Sequence, residues 1–393
     1  MKKYLKNSGL FTVAVALLLS MASCEKDNVN PTKINTDETY KAILKDYVDD
    51  VVIPTYKDLA EAALAFRNAV NALNDNNDAL HLKAAADAWM TARIFWEESE
   101  AFLFGPVSED AFDIDAHIDS WPLELIDIQA VLDNDAAGLT GEAAWLLDAE
   151  VIGFHTTEYL LFREGQARGN ITDAELKYLT AATDALVWDC ALAYAAWAGE
   201  SNISTAVRNA LNENSDVKDF FNENVTYQNF GGNLKNATGL YGGSFADAIS
   251  EISDGAADIA DEVGTTKIES PYLTRQVLEV ESWYSWHSLE DYQNNIKSIR
   301  NAYFGERIAT TPPSTPKANS LSAFVATKNP QLDTQIKAKI EDCIAKIQAI
   351  GTGGKSFYEV VRDHLNTAQV EAAVDACDEL GAFFNQISNN IIE

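Results

Sequence analysis

The sequence predicts an all-α fold of two helical bundles in tandem, and three observations predict it. Apolar residues recur at helical spacing in one segment after another, and convincing strand alternation appears nowhere. Helix start and stop signals punctuate the pattern, among them the capping box Thr172-x-x-Glu175 and the terminator Phe104-Gly105-Pro106. The 393 residues, 47% apolar and 23% charged, have ordinary globular composition with room for one large or two medium domains.

The first segment reads as an export signal. Lys2 and Lys3 precede an apolar run at 10–19 that is too short to span a bilayer as a stable helix. Leu19-Ser20-Met21-Ala22-Ser23-Cys24 then resembles the lipobox of bacterial lipoproteins, which implies removal of residues 1–23 and lipidation of Cys24. Residues 24–35 are polar and without period, a tether for a body that begins at residue 36.

Thr36 or Asp37 can cap the first helix, with Tyr40, Ile43, Leu44, Tyr47, Val48 and Val51 on one face. Pro54 is expected to kink it before it resumes through Leu59, Ala63, Phe66 and Val70. A second helix is predicted at about 80–102, followed by an acidic irregular loop to Ser120. Trp121-Pro122 is expected to start a third. A fourth is expected to begin near Gly141 and carry Ala144, Leu147, Val151, Phe154 and Leu161, and a fifth to run from Thr172 to about Ala198. Residues 201–224 are polar with little period and are read as the linker between bundles at 36–200 and 225–393. Further helical patterns cover 230–263, broken at 239–243, then 272–303, 331–350 and 356–387, with a Pro-rich loop at 310–316.

Loss of residues 1–23 removes three lysines, leaving 26 basic against 60 acidic side chains, a net −34. Such a balance argues against nucleic acid, whose recognition needs a basic stripe. Cys190, Cys343 and Cys377 have no C-x-x-C partner and read as small buried apolar residues.

Two stretches carry chemistry. Arg93, Glu97 and Glu100 fall within about 80° of Trp89 on the helical wheel, so three charges face the core, which is costly unless they are paired or liganded. His155 and Glu158, at i and i+3, share the apolar stripe of their helix, the geometry of a two-ligand metal half-site and equally of a hydrogen-bonded pair. Together His155, Glu158, Glu97 and Glu100 make a candidate metal site. Rich in carboxylate and free of sulfur, it suits iron or another hard cation better than a structural zinc. A zinc-type metallopeptidase would need a third ligand such as His117 or His287, and Glu97 or Glu100 as base; the stronger H-E-x-x-H arrangement is missing.

Several of these pieces occur in an order and spacing similar to the imelysin family. They are Ala88-Trp89-Met90-Thr91-Ala92-Arg93, Trp96-Glu97-Glu98-Ser99-Glu100 through Pro106, Ile118-Asp119-Ser120-Trp121-Pro122-Leu123-Glu124 and Gly153-Phe154-His155-Thr156-Thr157-Glu158. Later pieces are the 259–268 segment, Glu281-Ser282-Trp283-Tyr284-Ser285-Trp286-His287-Ser288 and Tyr303-Phe304-Gly305. The resemblance implies two four-helix-bundle-like domains with H-x-x-E near their interface, in a family that holds both metallopeptidases and proteins tied to iron uptake. Arg93, Glu262, Lys267, Ser285 and His287 become candidates for the interdomain cleft, although His287 stands where similar sequences more often carry Asn. The expectation is an envelope lipoprotein of a Gram-negative bacterium, anchored at the outer membrane through its lipid alone. It would bind a divalent or ferric metal ion or its chelate, iron above zinc, and would work beside envelope iron-uptake components. The alternatives are a metallopeptidase using the same pair and a metal-free binding module.

Overall fold

The computed structural model describes residues 36–108, 111–136, 138–308 and 315–392, so the export signal, the tether and Cys24 lie outside the described residues. Helix α1 (Thr36–Tyr47) passes into α2 (Ile53–Leu73) through a wide turn at Val48–Val52. Pro54 has no N–H to give, and the Thr55 hydroxyl donates to the Val51 carbonyl at 2.8 Å. Helix α3 (Ala79–Glu97) starts on Asp78, whose carboxylate accepts from the Leu80 and His81 N–H groups. It ends before the predicted limit, and a tight turn at Glu100–Phe102 carries the chain on.

The helix expected from Gly141 is instead three pieces, Gly141–Trp145, a turn at Ala149–Val151 and α4 (Gly153–Leu161). Helix α5 (Asp173–Ala198) begins at the predicted capping box, and from Ala181 onward every residue but Asp184 is buried. An all-round apolar helix of this kind belongs in the middle of a bundle, and α5 packs on both α2 and α4. Residues 201–224 are not a linker. They form helices Thr205–Leu211 and Ser215–Glu223, capped by Ser204 and Asn214, which bury Val207, Leu211, Val217 and Phe221 and lie against α5.

The second group consists of α6 (Phe245–Glu262), α7 (Ser288–Phe304), α8 (Pro330–Ile350) and α9 (Thr367–Asn390), with α6 and α8 each packed on α7 and α9. Helix α1 sits with this later group: it packs on α6, and Tyr40 meets Phe324 edge-on at 5.2 Å. Helix α3 touches α7, which joins the two groups in one unit spanning Thr36–Glu393.

Three more expectations are corrected. The acidic loop before Ser120 contains a helix, Ile114–Asp119, and the one expected at Trp121 starts at Leu125. The 272–303 helix breaks up between Thr274 and Ser288, where Arg275, Ser282 and Trp286 take positive φ of 58°, 52° and 60°. The 356–387 helix is cut at His364 and Asn366, both also at positive φ. Cys190, Cys343 and Cys377 are buried free thiols. No helix among the described residues is long and apolar enough to cross a membrane.

Candidate functional site

Gly153 fixes where the site forms. Ile152 is extended and Gly153 has φ +76°, a conformation that L side chains rarely adopt, so α4 starts here and cannot continue back toward Gly141. A Cβ on Gly153 would stand 2.3 Å from the Ile118 carbonyl oxygen. Its absence lets the Ile114–Asp119 helix close on α4 and delivers Asp119 to His155, in the first turn of α4.

The two ring nitrogens of His155 have different surroundings. Nε2 is 3.0 Å from Asp119 Oδ1 and 3.7 Å from Glu281 Oε1. Nδ1 is 3.2 Å from Glu158 Oε2, and the other Glu158 oxygen accepts the Ser285 N–H at 2.7 Å. The Trp96 indole donates to the second Asp119 oxygen at 2.7 Å. Glu158 thus orients the ring from behind while Asp119 and Glu281 share its open edge.

Arg93, fully buried, runs its guanidinium through the centre. It pairs with Glu97 and Asp119, reaches Glu281 Oε1 at 2.6 Å and approaches Asp291 Oδ2 at 3.4 Å. The second cation is Lys267, 3.1 Å from Glu281, 3.5 Å from Glu262 and 3.9 Å from Glu100. It lies on the wide turn Val263–Glu269 that extends α6; such turns shift the side-chain register of a helix and recur at functional sites.

Six carboxyl groups, buried at Glu97, Glu100, Glu158, Glu281 and Asp291 and partly buried at Asp119, thus face two permanent cations and one imidazole. Their protonation follows from that count. Burial pushes the Asp119 carboxyl up, but Arg93 and His155 outweigh it and hold the group below the ordinary carboxylate range. At Glu281 burial is likewise overcome, by Lys267, His155 and Arg93, which hold it far below. Burial wins at Glu97 and Glu100, which rise well above the ordinary value despite Arg93 and Lys267 respectively. For His155, burial and Arg93 pull the imidazole down, yet Asp119 and Glu158 raise it well above the ordinary value. Asp291 Oδ1 and Asn295 Oδ1 are buried acceptors with no hydrogen-bond partner, a further sign of acceptor surplus.

Two sets of donor atoms converge within 4.8 Å: Asp119, His155 and Glu281, and Glu97, Glu100 and Asp119. One imidazole nitrogen with carboxylate oxygens fits a hard or intermediate metal ion, whose charge would take up the surplus. Beside the centre opens a cavity of about 300 Å³ whose wall includes Glu100, Asp115, Asp119, Glu262, Lys267 and Glu281.

Of the residues singled out from sequence, Arg93, Glu97, Glu100 and His155 meet in the centre, while Glu262 and Lys267 line the cavity. Glu158 reaches the centre only through Nδ1 of His155, and Ser285 through its backbone N–H to Glu158. His287 precedes α7 as its N-cap, and His117 is held by Asp189. Sequence reasoning missed Asp119, Glu281 and Asp291. The first two lie inside Ile118-Asp119-Ser120-Trp121 and Glu281-Ser282-Trp283, stretches that carry the family resemblance, which is the sequence signal that points to them.

Fold and site together define a class: all-helical proteins in which a His-x-x-Glu element, a buried arginine and carboxylates from distant segments form one charged centre beside a cavity. The chain belongs to the imelysin family, whose profile matches residues 52–383. It is 28% identical over 267 residues to the iron-regulated protein A of Synechococcus elongatus, covering 67% of this chain and 64% of that relative's length. A crystal structure described as an iron-regulated protein A precursor from Parabacteroides distasonis superposes with a TM-score of 0.73 at 29% identity, covering 90% of this chain and 95% of the other. An imelysin-like protein from Psychrobacter arcticum shares the fold, with a TM-score of 0.63 at 15% identity over 88% of this chain and 93% of its own.

Proposed function

We propose that this imelysin-family protein is a lipid-anchored envelope protein that binds a metal ion or a small metal chelate, iron by preference, and contributes to iron acquisition. The observation that carries the reading is the convergence of Asp119, His155 and Glu281 in a centre with more acceptors than cations. Iron is cargo in this reading. His155 Nε2 and the Asp119 and Glu281 carboxylates would hold it, and Glu158 would keep the imidazole turned toward it, as outer partners of ligating histidines do. Arg93 and Lys267 occupy those carboxylates otherwise, so uptake exchanges guanidinium and ammonium contacts for the metal and release reverses the exchange. The names of two relatives, both iron-regulated protein A, support iron as the metal. The lipobox ending at Cys24 supports an anchor in the outer membrane of a Gram-negative cell, with other envelope iron-uptake components as partners.

Titration calorimetry of the body from residue 36 with ferrous iron, ferric citrate and zinc, together with elemental analysis of the purified protein, tests the reading. Stoichiometric iron binding that is lost in His155→Ala and in Asp119→Asn supports it. Wild-type protein that binds none of the three overturns it and leaves a metal-free binding module.

A further inference from the structure

Trp121 stands between two cavities. On one side is the acidic chamber just described; on the other is a groove of about 210 Å³ walled mainly by Trp121, Leu125, Ile126, Leu278, Trp283 and Tyr284. The two meet along Trp121 and along the turn at Val277–Glu279, where Leu278 faces the groove and Glu279 the chamber. Chamber and groove differ sharply in chemistry. The chamber carries Glu100, Asp115, Asp119, Glu262, Glu279 and Glu281 against a single cation, Lys267.

Glu100 is an independent pointer within the chamber. Only 6% of it is exposed, no described residue donates a hydrogen bond to its carboxyl, and its closest ion-pair partner, Lys267, is 3.9 Å away. A nearly buried acid on a cavity wall without a donor is a place for a donor from outside. The groove has the converse need: Ile126 is 80% exposed and Leu278 50%, large apolar side chains left in water beside three aromatic rings.

We propose that chamber and groove form one composite site for a small amphipathic organic cation, with its ammonium or guanidinium head among the chamber carboxylates and its apolar body laid across Trp121 onto the groove. A bare metal ion has no use for the groove, and an anion is repelled by the chamber. The combined space is that of a drug-sized ligand, which favours a small molecule over a protein surface. The head donates to Glu100 and Glu262, and the body covers Ile126 and Leu278. This site goes beyond the metal reading, because its defining contacts lie on the chamber wall and in the groove and not at His155.

The test is calorimetry on the full chain in detergent with three probes: 4-phenylbutylamine, which has head and body; butylamine, which lacks the ring; and 4-phenylbutanoate, which reverses the charge. Saturable binding of 4-phenylbutylamine is expected, about tenfold tighter than butylamine, with no binding of 4-phenylbutanoate. The double variant Ile126→Ser, Leu278→Ser changes only exposed side chains; it should lose about that tenfold advantage while keeping the wild-type affinity for iron. Glu262→Gln should weaken both amines. Quenching of tryptophan fluorescence by 4-phenylbutylamine should diminish in Trp121→Phe. Equal binding of 4-phenylbutanoate, amine binding indifferent to the groove variants, or no amine binding in a protein that still binds iron would each overturn the proposal. Failure of iron binding with amine binding intact would overturn the metal reading alone.

Discussion

His117 and His155 both face an aspartate, and one short helix, Ile114–Asp119, serves them both. From that helix His117 turns to α5, where Nδ1 meets Asp189 Oδ2 at 2.8 Å. The other Asp189 oxygen accepts the Trp145 indole N–H at 2.8 Å, and the histidine side chain keeps 21% of its surface in water. Asp119, two residues on, turns the opposite way to His155, which has no exposed surface and shares its surroundings with Arg93 and carboxyl groups from remote segments. Both imidazoles are raised above their ordinary value, each against the pull of burial, His117 by Asp189 and His155 chiefly by Asp119 and Glu158. A His–Asp pair with a raised imidazole therefore does not mark a site. At Asp189 one acid is matched by one imidazole and one indole, whereas at Asp119 acids exceed cations and buried acceptors are left over. The imbalance marks the site.

The largest effect should come from removing the cation that holds the unbalanced side together. Arg93→Ala leaves Glu97, Asp119, Glu281 and Asp291 facing one another without the guanidinium between them, and breaking a buried ion network from one side costs about 3–5 kcal/mol. Urea denaturation should register that loss, and saturating ferrous iron should restore part of it if the metal can take over the guanidinium's role. An Arg93→Ala protein as stable as wild type would show that the carboxyl groups shed their charge together and need no cation.

Gly153→Ala attacks the same centre through the backbone. The added methyl must take φ +76° and collides with the Ile118 carbonyl, so the Ile114–Asp119 helix has to move away from α4. A loss of about 2–3 kcal/mol is expected, with weaker metal binding because Asp119 leaves His155. Gly169 is the control, since nothing lies within 4 Å of its missing Cβ and its φ is not in the left-handed range. Gly169→Ala should leave both stability and binding near wild type, and equal effects at the two glycines would remove the argument for close approach.

Much of this was legible in the sequence, and what was not has a physical cause. Arg93 and Glu97 could be read because helical periodicity fixes the face before any neighbour is known, and both are buried as that face requires. Glu100 is buried too, but on the tight turn after α3 rather than on its face. The same logic placed α2, α5 and α8 within a few residues. It failed where the chain leaves the helix without Gly or Pro: Arg275, Ser282 and Trp286 take positive φ at no cue in the sequence, so a run with helical spacing was extended through the loop that carries Glu281. Asp119 was passed over for a related reason. Its helix is six residues long, too short for a period to show, and its partner on α4 is set by a glycine contact rather than by a pattern.

Binding sharpens the comparison next. His155→Gln should weaken iron binding about 100-fold or more, and Glu158→Gln, which touches only Nδ1, about 10–100-fold. His117→Gln should leave binding within about twofold and cost only about 1 kcal/mol of stability, the worth of one matched hydrogen bond. Calorimetry and urea titration on the three variants separate these outcomes, and parallel losses at His117 and His155 would erase the distinction between them.

The last effect expected is a change of slope with pH. Asp119 and Glu281 are held low in the fold, so their contribution is present above about pH 4 and is lost as pH falls toward their folded values. His155 is raised, so its contribution is complete below about pH 6.5 and is lost as pH climbs through its higher folded value. Asp115 on the chamber wall runs opposite to Asp119: burial, and then the Asp119 charge, push its carboxyl up to about 7. Below about pH 4 it is neutral in both states. Above that the unfolded chain ionises first, so the fold loses stability progressively until about pH 7. Asp115→Asn removes that loss and should flatten stability across this window, while His155→Gln should alter the limb above it. Denaturation midpoints measured from pH 4 to pH 9 resolve the two limbs. If Asp115→Asn tracked the wild type throughout, the Asp115 carboxyl would be hydrated in the fold, and the crowding of acids that distinguishes His155 from His117 would end at Asp119.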